Sequence, residues 1–195
     1  SAGTYQMAFQ ATDITSTEMK TAIEDWYRLY YLQEPTKDED PCQQIPYTIV
    51  RKLTKTTFSE YSATSKDVFA AQILKALGDK RNVAMQQAMI GGEALLKPVP
   101  TRTGFRFNVI KRPNVLVFGR DDEGTPTDVG TSETAVQGKY YYTLLERRTV
   151  DERGYLTVKC SLYRSYSGND LGQPVALSTL PQYANIPETY IFPQP

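Results

Sequence analysis

A chain of 195 residues, 40% hydrophobic and 23% charged, has the make-up of a globular protein and excludes wholesale disorder. Its length suits one domain or one and a half. The 22 basic and 22 acidic side chains cancel, so no global field exists to hold a polyanion, which argues against a dedicated nucleic-acid binder while leaving local patches open.

The first third reads helical. Thr15 and Glu18 have the spacing of a capping box, with Ile14 and Met19 placed as a hydrophobic staple. Behind them Met19, Ile23, Trp26, Leu29 and Tyr30 recur at helical spacing and predict one apolar stripe. Glu34-Pro35 ends that helix, and a charged loop, Lys37 to Pro41, follows. Pro46 fits the first turn of a second helix carrying Ile49, Val50, Leu53 and Phe58. Ser65 is expected to open a third, with Val68, Phe69, Ile73, Leu74 and Leu77 as its apolar positions. Gly78-Asp79 breaks it, and Asp79 is read as the cap of a fourth segment through Met85 and Met89.

Gly91-Gly92 stops the helical pattern. Short β-branched and aromatic runs follow: Ala94 to Leu96, Phe105 to Val109 and Val115 to Phe118, with Pro98, Pro100 and Pro113 marking strand ends or edges. Arg120 to Gly124 reads as a polar turn after one strand. Asp151 to Gly154 links a strand through Leu144 to one from Tyr155 to Arg164. In the latter, Leu156, Val158, Cys160 and Leu162 alternate with Thr157, Lys159, Ser161 and Tyr163, so one face is buried and one is wet. Helices first and antiparallel strands and hairpins second make the fold class α+β. The division falls between a mainly helical 1–92 and a β-rich 93–195, packed together as one unit.

Little in the sequence suggests chemistry. Histidine is absent, which removes the commonest general base, the usual serine or cysteine triad and nearly all zinc and haem sites. No phosphate loop, dinucleotide fingerprint or nucleophile elbow occurs. Gly91-Gly92 follows a helix, and so presents no helix N-terminus to a phosphate. Asp121-Asp122-Glu123 lacks calcium-loop spacing and reads as a turn. Cys42 and Cys160 sit in unlike contexts and read as unpaired thiols of a reducing compartment. No apolar run approaches the roughly 18 residues that cross a bilayer, and the start is not a signal peptide. A soluble, cytoplasmically made protein is expected, with no membrane partner and no cofactor. Ser1-Ala2-Gly3, without an initiator Met, suggests a trimmed start or an expression remnant.

One charge pattern stands out. Lys97, Arg102, Arg106, Lys111, Arg112 and Arg120 lie between Ala94 and Arg120 with no acid among them. The next stretch, to Gly138, carries Asp121, Asp122, Glu123, Asp128 and Glu133 with no base. Such blocks can mate across the subunits of a ring, or lie side by side as solvated faces. Arg102, Arg106, Lys111 and Arg112 are therefore candidate inter-subunit or phosphate contacts. Trp26 and Tyr30 follow the helical stripe and are read as core. In Tyr140-Tyr141-Tyr142, strand alternation sends Tyr141 to the opposite face, which makes it a candidate contact as well.

Lys139 to Arg148, followed by Tyr155 to Arg164 and by Leu171-Gly172-Gln173-Pro174-Val175-Ala176-Leu177-Ser178, resembles the portal (minor capsid) proteins of siphophages and prophages of Gram-positive bacteria. Ala22 to Tyr27 is similar to that family's early amphipathic helix, and Ala88 to Pro98 to its helix-to-strand junction. The resemblance covers most of the chain, and its motifs are structural. It implies a non-enzymatic ring subunit, typically dodecameric, at one capsid vertex of the virion. Such a ring nucleates head assembly, docks the terminase large subunit, meets scaffold, capsid and head–tail adaptor proteins, and passes packaged double-stranded DNA. The family's stem, clip and most of its crown lie beyond the matching region, so the chain is expected to be a wing-like fragment. The alternative function is a nucleic-acid-binding module using residues 94–120.

Overall fold

A computed structural model of the protein describes residues 5–31, 45–101 and 103–192. It is α+β, and among the described residues five α-helices precede eight strands, all of whose pairings are antiparallel. The chain forms two compact units, 17–113 and 1–16 with 114–195. The change from helix to strand does fall at 92/93, but the seam between units does not. The reason is local: the first hairpin packs on the helices that precede it.

In the 17–113 unit, α2 (Thr17–Tyr31), α3 (Ile45–Phe58), α4 (Val68–Gly78) and α5 (Arg81–Gly91) precede the hairpin of β1 (Ala94–Thr101) and β2 (Gly104–Lys111). The core joins Ile23, Tyr27 and Tyr30 of α2 to Val50 of α3 and Ile90 of α5. Several sequence expectations need correcting here. First, α2 starts at Thr17, which puts Ser16 rather than Thr15 at the N-cap position, and Ile14 and Met19 are each about half exposed. Second, the buried stripe is Ile23, Tyr27 and Tyr30, while Met19, Trp26 and Leu29 face outward. Third, α4 is capped by Asp67, whose carboxylate accepts from the Ala70 amide at 2.7 Å, and not by Ser65. Lys80 rather than Asp79 occupies the N-cap of α5, without a side-chain hydrogen bond. Val68 and Phe69 are exposed. Pro46 does sit in the first turn of α3, and Gly92, at φ 82°, ends α5 as a left-handed stop suited to glycine. The expected helix end at Glu34-Pro35, the Lys37 to Pro41 loop and Cys42 lie outside the described residues.

In the other unit, α1 (Gln6–Phe9) precedes a six-stranded sheet. Its main path runs β3 (Val115–Arg120), β4 (Pro126–Gln137), β5 (Tyr140–Val150), β6 (Leu156–Ser165) and β7 (Gln173–Val175), with β8 (Thr189–Phe192) also on β6. Both expected hairpin turns are present. Asp121 Oδ1 accepts from the amides of Glu123 and Thr125, and Asp151 Oδ1 from those of Arg153 and Tyr155, at 2.8–3.0 Å. Each aspartate thus replaces backbone partners that the turn would leave open. β6 alternates as expected, with Val158, Cys160 and Leu162 inside.

The two faces of this sheet are covered by chain segments far apart in sequence. Tyr5 and Phe9 pack on Leu116 and Leu145 on one face. Leu177 and Leu180 pack on Leu144, Val158 and Leu162 on the other. Seven side chains of about this kind at under 2% exposure, such as Leu144 and Leu162, form the most deeply buried set. Each contributes on the order of 1.5–3 kcal/mol relative to exposure. The edge at β3 is occupied by Asp13 and Ile14: the Ile14 amide donates to the Val117 carbonyl at 2.8 Å, and Asp13 Oδ1 accepts from the Val117 amide.

Candidate functional site

The sequence-derived contact residues do not form one patch. Arg102 lies outside the described residues. Arg106 is exposed on β2, opposite Val99. Lys111, at the end of β2, donates to the Tyr31 hydroxyl at 3.4 Å and lies 5.3 Å from the centroid of that ring. Arg112 is buried, and its Nε meets Glu93 Oε1 at 2.7 Å. The sequence stretch has no acid within it, yet Glu93 stands just before it and the fold brings the two together. Arg112 is thereby a structural cation and not an open contact. Tyr141 is half-buried on β5, opposite Val136 and Ser165, on the face away from Tyr142 as alternation predicted.

Around Arg112 runs a polar network of the helical unit. The Tyr27 hydroxyl donates to Gln87 Oε1 at 3.0 Å in the buried core, and Gln87 Nε2 donates to the Tyr31 hydroxyl at 3.4 Å. Burial pushes the Tyr27 phenol up to about 12. This network explains how a tyrosine outcompeted Trp26 for the core: its hydroxyl finds a partner inside.

On the sheet, Arg147 holds Asp128 in a bidentate pair at 2.7 and 3.0 Å and donates to the Phe9 carbonyl at 3.0 Å. The Asp128 carboxylate raises the Arg147 pKa. One polar row crosses mid-sheet, with Thr131 opposite Glu146 and Glu146 opposite Cys160. Glu146 is 3% exposed, accepts from the Cys160 thiol at 3.7 Å, and lies 3.8 Å from Arg148. The Thr131 hydroxyl beside it is buried without a hydrogen-bond partner among the described residues.

At the end of the sheet near Lys139, Tyr140 and Tyr166 share a hydroxyl–hydroxyl bond of 3.3 Å. Arg164 lies over the Tyr140 ring at 4.7 Å, and Lys139 approaches both rings. The hydrogen bond from Tyr166, with the neighbouring cations Lys139 and Arg164, lowers the Tyr140 pKa, while the same bond and the Tyr140 charge raise that of Tyr166. Sequence reasoning singled out Tyr141 and missed this cluster. The signal was present in the pairing of Tyr142 with Arg164, which puts Tyr140 and Tyr166 on one face.

Among the described residues of the helical unit, two concavities bear on function. One of about 510 Å³ runs between the end of α3, residues 61–65 and the second half of α4, and there Arg81 covers the Phe58 and Tyr61 rings at 5.2 and 5.1 Å. The other, about 350 Å³, has Lys75, Asp79 and Lys80 on one side and Thr101, Thr103 and Arg106 on the other. No group of three or more metal-ligating side chains occurs among the described residues. Asp121, proposed above as a turn former, has its carboxylate occupied by backbone amides.

The class these features define is a two-unit α+β protein with structural charge pairs and open apolar helix faces. No family model, no curated protein and no solved structure matches the chain.

Proposed function

We propose that this chain is part of a structural subunit of the phage portal type. It works by packing against copies of itself and other virion proteins, and not by catalysis. In the full-length subunit it would build the capsid-vertex ring that serves DNA packaging, terminase docking and head–tail connection. The observation that carries the reading, beside the sequence resemblance, is the outward side of α2 and α3. Met19, Trp26 and Leu29 on the first, and Ile45, Ile49 and Leu53 on the second, are each 40–51% exposed. Large apolar side chains gathered at the surface of a helix mark association surfaces.

Strand edges support the same reading by contrast. Residues 13 and 14 cover β3, and Pro98 and Pro100 withhold amide donors along β1. At these two edges strand-to-strand pairing is disfavoured, which favours association through side-chain faces. Sedimentation velocity from micromolar to sub-millimolar concentration tests it. The expected result is reversible self-association that the Trp26→Glu, Ile49→Glu double variant abolishes without loss of helical circular dichroism. A chain that stays monomeric throughout removes this support. The reading frame offers an independent test: a stem-coding continuation beside terminase genes is expected, and a stop codon directly after Pro195 would overturn the portal assignment.

A further inference from the structure

We propose that the 350 Å³ concavity between α4 and the tip of the β1–β2 hairpin binds a phosphate monoester. Three cations reach it from separate elements: Lys75 from α4, Lys80 from the turn that follows, and Arg106 from β2. Among the described residues Asp79 is the single acid lining it. Among the described residues none of the three cations has an ion-pair partner. This differs from Arg112 and Arg147, whose charges are met by Glu93 and Asp128. Like charges gathered around one hollow repel each other, and an anion placed among them relieves that repulsion.

The chemistry of the lining selects the anion. Among the described residues, three cations against one carboxylate leave an excess of two positive charges. That matches the roughly −1.5 to −2 charge of a phosphate monoester near neutral pH. Its three terminal oxygens can accept from two ammonium groups and a planar guanidinium at once, whereas a carboxylate is filled by a single guanidinium. The hydroxyls of Thr101 and Thr103 and the amide of Gln72 add neutral donors around the same hollow. Its volume falls at the lower end of the roughly 300–1,000 Å³ typical of small-molecule sites, so there is room for the group that carries the phosphate. Two sources share this chemistry: a free mononucleotide-like metabolite, and the 5′-phosphate end of a nucleic acid.

The test is a heteronuclear NMR titration of the ¹⁵N-labelled chain. The probes are inorganic phosphate, acetate, a nucleoside monophosphate, and one oligonucleotide in 5′-phosphorylated and 5′-hydroxyl forms. Saturable shifts are expected at the amides of Lys80, Thr101, Thr103 and Gly104. Lys80→Gln and Arg106→Gln should each weaken binding by about tenfold, the loss of one charge-assisted hydrogen bond. Lys52→Gln, an exposed charge removed from α3, should change it by less than about twofold. Thermal unfolding of each variant verifies its fold. Tighter binding of the 5′-phosphorylated oligonucleotide than of the mononucleotide assigns the nucleic-acid end as the source, and the reverse order assigns the metabolite. The proposal is overturned by absent shifts at the hollow, by equal losses in Lys52→Gln, or by acetate binding as tightly as phosphate. It is also overturned if the two variants reduce self-association and leave phosphate affinity unchanged, since an acidic segment of a second copy would then be the occupant.

Discussion

Replacing Gly130 by alanine gives a sharp test of the packing beneath α1. A Cβ at this position would lie 2.8 and 3.0 Å from two atoms of the Phe118 ring and 3.0 Å from Phe9. On general grounds, Gly→Ala within a strand should stabilise by about 0.5–1 kcal/mol, since glycine loses more freedom on folding. Here the Phe118 ring cannot simply swing away. It is tilted against Phe9 at 5.4 Å, and Arg147, itself clasped by Asp128, lies 5.2 Å from its centroid. Overpacking of this kind costs about 1–3 kcal/mol, which outweighs the entropic gain. A net loss of about 1–2 kcal/mol is expected, read as a lower urea midpoint at unchanged slope. Phe118→Leu in the Gly130→Ala background should recover part of it, with clear non-additivity in the cycle. A neutral or stabilised Gly130→Ala variant would refute the reasoning.

Four further outcomes follow from the same geometry. Gly172→Ala should destabilise by more than Gly130→Ala, because at φ 72° its Cβ would overlap the Arg164 carbonyl, which is backbone and cannot rotate aside; thermal melts rank the two. The Tyr27 phenol, raised to about 12 in the fold from an ordinary 10, holds its proton where the unfolded chain has released it. Stability from this group is therefore complete below pH 10 and is lost as pH climbs through 12; the loss is about 2–3 kcal/mol, and Tyr27→Phe should remove that component from the pH profile of urea midpoints. Glu93→Ala removes the carboxylate that meets the buried Arg112 guanidinium and should cost about 3 kcal/mol, measured by chemical unfolding. Native Cys160 should resist alkylation as judged by peptide mass mapping, and react at the rate of unfolding; rapid native labelling would contradict its burial under the 177–192 segment.

The parts of the fold that sequence made legible were those where one local rule acts alone. The turn at Asp151 to Gly154 and the alternation in β6 are of this kind. β4, the longest strand, was missed because its middle residues Gly130, Thr131 and Ser132 are small, polar and buried on both faces. No alternation is written there, since neighbouring strands and covering segments bury both sides. The buried side of α2 was misplaced because Trp26 outranks Tyr27 in hydrophobicity, and only Gln87, sixty residues on, makes the tyrosine the better core residue. Candidate contacts suffered likewise. Arg112 has an open look in sequence because its partner Glu93 is supplied by the fold, and Lys75 and Lys80 are invisible as neighbours of Arg106 because they lie on α4 and the turn after it, while Arg106 lies on the hairpin.

The sheet whose faces are sealed by residues 5–9 and by residues 177–180 has a consequence for the order of synthesis. The bond from Arg147 to the Phe9 carbonyl spans 138 residues, and the 17–113 unit lies between its ends in sequence. At about 5–20 residues per second, a ribosome leaves Phe9 waiting roughly 7–28 s for that partner. During this interval the intervening helical unit has emerged in full and can collapse by itself. Tyr5 and Phe9 meanwhile stay uncovered on the nascent chain, an apolar tag that chaperones can hold until β5 arrives.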